Sequence, residues 1–297
     1  DDVSNAASGQ YSAALGGCSN TASGNYSTVG GGQNNTASNK NSTVGGGVLN
    51  NANGICSTVG GGSNNTASGF RSTIAGGNSN IASGNCTTIG GGSLNCANGN
   101  ASTIAGGETN INDGIYATVG GGRSNTVSNR YSTIGGGWNN IVDACFGFIG
   151  GGRCNTASNR YSTIGGGWCN TASEYGSVVA GGLFNAATGN QSTVGGGSNN
   201  TASGLRSTIA GGNNNLAGGG ASTIGGGIYN SGNTSNITIG GGGYNGVSGQ
   251  WSTVGGGCTN TVGSEFSIIG GGSNNDIQVG IGAASTIGGG WTNYIDG

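Results

Sequence analysis

The chain contains no histidine, no proline and no methionine, and only seven basic and nine acidic side chains in 297 residues. Without histidine the commonest general base and the commonest metal ligand are both missing, which removes Ser-His-Asp and Cys-His catalysis and most zinc sites together. With so little positive charge there is no field or stripe to hold a phosphate backbone or an acidic membrane, so nucleic acid is not an expected partner. No apolar run approaches the length of a bilayer span, and membrane insertion is not expected either. The missing proline points toward regular structure. A fold in which almost every N–H is a ladder donor has no place for a residue that lacks one. Disordered chains share the low apolar content, but they are rich in proline and charge, and this sequence is poor in both.

Glycine is abundant instead, at 74 residues, without the three-residue period of collagen. It belongs to a fifteen-residue motif: Ser-Thr-Val/Ile-Gly-Gly-Gly, two variable residues, Asn, one variable residue, Ala, a small polar residue, Gly and two variable residues. The motif starts at Ser12 and returns every fifteenth residue to Ser267 without insertion or deletion; three extra residues precede the next copy at Ser285. Strict spacing of so short a unit means that each copy stacks on the one before. The expectation is an all-β fold, a β-solenoid (a flattened two-sheet β-roll or β-helix) of about twenty 15-residue coils, with residues 1–297 as a single domain. At about 4.8 Å per coil it would be a rod of roughly 95 Å.

Numbering the coil from the Ser of Ser-Thr-Val, strand alternation separates two faces. Position 3 (Val29, Val44, Ile74, Ile134) and position 11 (Ala22, Ala37, Ala67, Ala157) are the inward columns. Glycines at positions 5, 6 and 13 are read as turn residues that accept positive φ. A phosphate-loop reading of Gly-Gly-Gly lacks the helix it needs. Position 9 is Asn in every copy from Asn20 to Asn275, among them Asn35, Asn65, Asn95, Asn125, Asn155, Asn185, Asn215 and Asn245. Asn tolerates the αL conformation and its amide both donates and accepts, so this column is expected to be a structural ladder. The seven Lys and Arg residues fall only at positions 7, 14 and 15, where turns let them reach water. Aromatics gather on the same edges. Tyr116, Tyr131, Phe146 and Tyr161 follow one another at position 15, and Trp138 and Trp168 occupy position 7. Such rows are ladder stabilisers, or a surface for a glycan or a neighbouring chain.

Positions 2 and 4 form a flat outer face, with Thr43, Thr73, Thr103, Thr133, Thr163 and Thr193 beside a column of Gly or Ala. This is the candidate interface between copies, because missing side chains let two sheets approach closely. Asp113 and Asp143 share position 12 two coils apart, about 9–10 Å, a separation some glycosidases use, but no third carboxylate accompanies them. No catalytic residue, metal ligand or cofactor is assigned. Of eight cysteines only Cys154 and Cys169 share a column in adjacent coils, and their separation of roughly 4.8 Å lies within the Cα range of a disulfide. Sequons at Asn25, Asn41, Asn85, Asn100, Asn190 and Asn236 indicate glycans only in a secreting eukaryote.

Half-coils such as Asn35-Thr36-Ala37-Ser38 and Ser42-Thr43-Val44-Gly45-Gly46 resemble the head repeats of trimeric autotransporter adhesins, the YadA-like family, whose half-coils alternate Ser/Asn, a small apolar residue and Gly. The present coil is one residue longer, and no neck or stalk pattern is read within these 297 residues, which leaves trimerisation outside the expectation. Repeats of β-roll antifreeze proteins and of viral and phage fibre proteins look similar. The resemblance implies a left-handed β-roll and an extracellular, trimeric, collagen- or cell-binding head. The functional expectation is therefore a non-enzymatic extracellular structural protein, a rigid solenoid that forms or decorates a fibre, adhesin or surface coat at a cell or virion surface. Its partners would be further copies, side by side or end to end, with glycans or a host cell surface as others. The alternatives are an ice-binding (antifreeze) protein and a carbohydrate-binding β-helix. A start at Asp1 suggests a processed product or the ordered part of something longer.

Overall fold

A computed structural model describes residues 4–278 and 284–296. It contains two compact units, residues 1–146 and 147–297, and both repeat the same coil. Each coil contributes two two-residue strands, at positions 2–3 and 10–11, and the thirty-nine strands among the described residues make about nineteen turns of a β-solenoid. No described residue is helical. Within each unit, strands pair in parallel with their equivalents one coil on, as in Thr28↔Thr43 with Val29↔Val44, and Thr36↔Asn51 with Ala37↔Ala52. A third ladder of single bridges runs along position 7, for example Gln33↔Val48 and Val48↔Ser63. The three-residue slip falls beside residues 279–283, outside the described residues, and pairing resumes at Ile268↔Thr286.

The core is the pair of columns expected from alternation: Val29, Val44 and Ile74 at position 3 and Ala22, Ala37 and Ala67 at position 11 have no exposed surface. Two polar columns are buried with them. Asn at position 9 follows from its amide chemistry. Ser at position 1, fully buried at Ser27, Ser57 and Ser102, follows from parity alone, because positions 1 and 3 share a face. Several of these hydroxyls, including those of Ser57 and Ser102, have no hydrogen-bond partner, whereas Ser72 donates to the Gly69 carbonyl at 2.8 Å. Ala117 fills the same column in another coil. Ser102→Ala is therefore expected to leave stability unchanged within about 1 kcal/mol, and Ser72→Ala to cost about 0.5–1.5 kcal/mol in thermal melts.

Positions 1 and 11 also share volume. At Gly232 an added Cβ would lie 2.3 Å from Cδ1 of Ile237, which stands where other coils carry Ser. The missing methyl makes room for the larger side chain. Gly232→Ala should cost about 1–3 kcal/mol by overpacking, and Ile237→Ser about 2–4 kcal/mol by leaving a void. The double variant restores the Ala–Ser pair of Ala202 and Ser207, and it should cost clearly less than the sum. Strict additivity in denaturant titrations would show that the two positions do not share space.

Two turn assignments need correction. The residues with φ near +55° are not the asparagines of position 9 but their neighbours at position 8, together with position 15: Asn34, Leu94, Cys154 and Phe184 in the first set, and Asn41, Arg71, Tyr131 and Phe146 in the second. These residues turn their N–H groups back toward the preceding coil, as in Asn34 N–H to Cys18 O (3.1 Å) and Asn41 N–H to Asn25 O (2.9 Å). Strand-side donors such as Thr28 and Gly30 point forward to Ser42 and Val44. Among the turn glycines only position 6 uses positive φ in every coil, at 89° for Gly32 and Gly62. Position 13 does not, and it accepts Asn39, Asn159 and Glu174 in other coils.

Candidate interaction surface

The ladder asparagines are saturated by the chain itself. In Asn35 the backbone N–H and Nδ2 both donate to Oδ1 of Asn20 (3.0 and 3.1 Å), and Nδ2 also reaches the carbonyls of Gly31 (2.9 Å) and Gly47 (2.8 Å). The pattern recurs through Asn65, Asn95 and Asn125 in the first unit and through Asn170, Asn200, Asn215 and Asn245 in the second. Asn155 and Asn185 lie in the same buried column. With no exposed surface and each amide fully engaged, this column holds coils together and offers nothing to a ligand.

The threonine face lies outside. In the first unit Thr28 through Thr133 form eight consecutive in-register pairing partners, with Thr43, Thr73, Thr103 and Thr133 half-buried and Thr88 and Thr118 exposed. Position 4 beside them is Gly or Ala and exposed throughout that run. In the second unit Thr163 and Thr193 belong to the same column, which Phe148, Val178 and Ile268 interrupt. The opposite face is mixed: Ile81, Ile111 and Ile141 are exposed among Thr, Cys and Asn.

The edge aromatics stack on one another. Tyr116 and Tyr131 lie 5.4 Å apart at 6°, and Tyr131 and Phe146 5.0 Å apart at 12°. In the second unit Arg160 lies 4.7 Å over the Tyr161 ring, Arg153 lies 5.5 Å over Trp168, and Trp168 tilts against Phe184. Trp138 is exposed at the edge of the first unit. Stacking along the column covers the faces of rings such as Tyr131 that a sugar would use. No protein-family model matches the chain, and no curated protein does.

The remaining chemistry is dispersed. Asp113 accepts a hydrogen bond from Asn98 (2.7 Å) and Asp143 one from Asn129 (2.8 Å); both are exposed. Burial raises the Cys96 thiol above its ordinary value, the bond to Asn98 lowers it, and the charge of Asp113 adds to the rise. Among the described residues no group of three or more His, Cys, Asp or Glu could hold a metal ion. Among them also, no helix is long and apolar enough to cross a membrane. Cys154 and Cys169 are half-buried thiols at the same turn of successive coils.

The glycines of position 5 lie at bends, as expected from the sequence, but positive φ does not account for all of them. Position 5 is glycine in all nineteen copies. Yet at Gly61, Gly76 and Gly106 φ lies outside the left-handed range, and an added Cβ would meet nothing within 4 Å. In some coils, such as Gly91 (φ 153°) and Gly121 (φ 144°), the backbone itself favours glycine. Elsewhere nothing inside the chain requires it. The uniformity of the column was legible in the sequence, but neighbouring position 6, with an identical signature and a backbone cause, masked it.

Proposed function

We propose that the chain is a non-enzymatic structural protein, a solenoid that forms or decorates an extracellular fibre, adhesin or surface coat by packing against further copies of itself. The observation that carries this reading is the invariant glycine of position 5 where the fold leaves room for a side chain. A constraint without an internal cause is supplied by a close external neighbour, and glycine lets a second backbone approach. The equally spaced threonines and the Gly/Ala column beside them extend the same flat, small-residue surface. The likeness of the repeats to YadA-like heads and to fibre proteins supports an extracellular setting.

Ice binding is the second reading, favoured by the eight evenly spaced threonines of the first unit. It leaves the glycines of position 5 unexplained, because water adjusts around a methyl group. A glycan-binding role is weakened by the covered ring faces. Thr88→Lys with Thr118→Lys is expected to disperse the assembly, seen by electron microscopy and sedimentation, while circular dichroism stays unchanged. Intact assemblies combined with loss of thermal hysteresis in freezing solution would put ice binding first.

A further inference from the structure

We propose that Cys154 and Cys169 form an intercoil disulfide staple when the protein meets a low-molecular-weight disulfide such as oxidised glutathione. Both residues sit at position 8 with nearly the same backbone, φ 55° and 51°, and the N–H of Cys169 donates to the carbonyl of Arg153 at 2.8 Å. The flanking bridge Arg153↔Trp168 and the Arg153 guanidinium over the Trp168 ring hold the two coils in register at this point. One coil spacing, about 4.8 Å, places the two Cα atoms inside the range a disulfide spans, and parallel Cα–Cβ bonds keep the Cβ atoms at about the same separation, so closure draws them together by a few tenths of an ångström. Desolvation by burial and, after it, the neighbouring Cys154 thiol hold the Cys169 thiol above its ordinary value, against the pull of Arg153 and Trp168. Both residues are half-buried. The other cysteines have no partner one coil away in the same column.

The chemistry balances by two exchanges. One protein thiolate attacks glutathione disulfide, forming a mixed disulfide and releasing one glutathione thiolate. The second protein thiolate then attacks the protein sulfur of that mixed disulfide and expels the other glutathione. Two electrons pass from the cysteine pair to glutathione disulfide, and the two thiol protons leave with the products. The closed loop is fifteen residues, so the staple pins neighbouring coils of the second unit and resists their separation.

The test treats the reduced full chain with oxidised glutathione and maps its cysteines by mass spectrometry. The expected result is joint loss of the two thiols, one cross-linked peptide pair containing Cys154 and Cys169, and a rise in Tm on the order of 5–10 °C. Cys169→Ser and Cys154→Ser should instead each carry a glutathione on the remaining cysteine and show no rise. Two separate glutathione adducts on the wild type, a cross-link to another cysteine, or thiols that outlast the exposed Cys86 would each overturn the staple.

Discussion

Asn95→Leu is expected to lower the stability of the first unit by about 2–6 kcal/mol. Oδ1 of Asn95 accepts from both the backbone N–H and Nδ2 of Asn110 (each 3.0 Å), and its own Nδ2 serves Asn80, Gly91 and Gly107. Leucine leaves the Asn110 N–H buried without an acceptor, a loss of about 1–3 kcal/mol. It also places a methyl group where carbonyl oxygens now lie at hydrogen-bond distance, an overpacking cost of about 1–3 kcal/mol. Asn95→Asp separates the two effects, since the shape is kept. It retains the acceptor and presses a carboxylate against the carbonyls of Gly91 and Gly107. Burial beside those oxygens raises the folded-state pKa of such an Asp. The variant should therefore be least impaired at low pH and lose stability as pH rises through and above the unfolded carboxylate value, about 3.9. Wild-type-like melts for both variants would place the column in water.

Gly62→Ala is expected to be at least as damaging, by about 3 kcal/mol or more, and to prevent folding in the worst case. The backbone there has φ 89°, and an added Cβ would lie 2.1 Å from the Gly77 carbonyl oxygen and 2.8 Å from Nδ2 of Asn65. Neither neighbour can retreat without breaking the ladder it belongs to. The adjacent Gly61→Ala meets nothing within 4 Å and should stay within about 1 kcal/mol of wild type, since the unfolded chain loses freedom by the same change. Thermal melts of the two single variants, one residue apart, decide the point. Equal losses would mean that both glycines serve the same turn.

The coil, its register and its inward Val/Ile and Ala columns were legible in the sequence because period-two alternation and a fixed fifteen-residue spacing leave one way to stack. The charged turns were legible for the same reason. The left-handed positions were not, because positions 8 and 15 hold residues as unlike as Leu94, Arg71 and Phe184. What selects that conformation is a backbone N–H turned toward the preceding coil, which no side chain announces. Asn at position 9 was identified as a ladder for partly the wrong reason, since its amide geometry matters and its φ does not. The buried serines were overlooked because a hydroxyl suggests water, whereas parity with position 3 puts it inside. On the outer surface, the threonine face could be located by alternation. That the turn itself does not require glycine at Gly61, Gly76 and Gly106 could be seen only when the space around each Cβ was known.

The most direct measurement is sedimentation velocity on the wild-type chain and on a triple variant, Gly61→Ala with Gly76→Ala and Gly106→Ala, alongside their thermal melts. The wild type should sediment as species larger than the 28.2 kDa chain, and the triple variant should melt at nearly the same temperature but sediment as the monomer. A wild type that stays monomeric at all concentrations, a triple variant that assembles as well as wild type, or one whose melting temperature collapses would contradict assembly through the glycines of position 5.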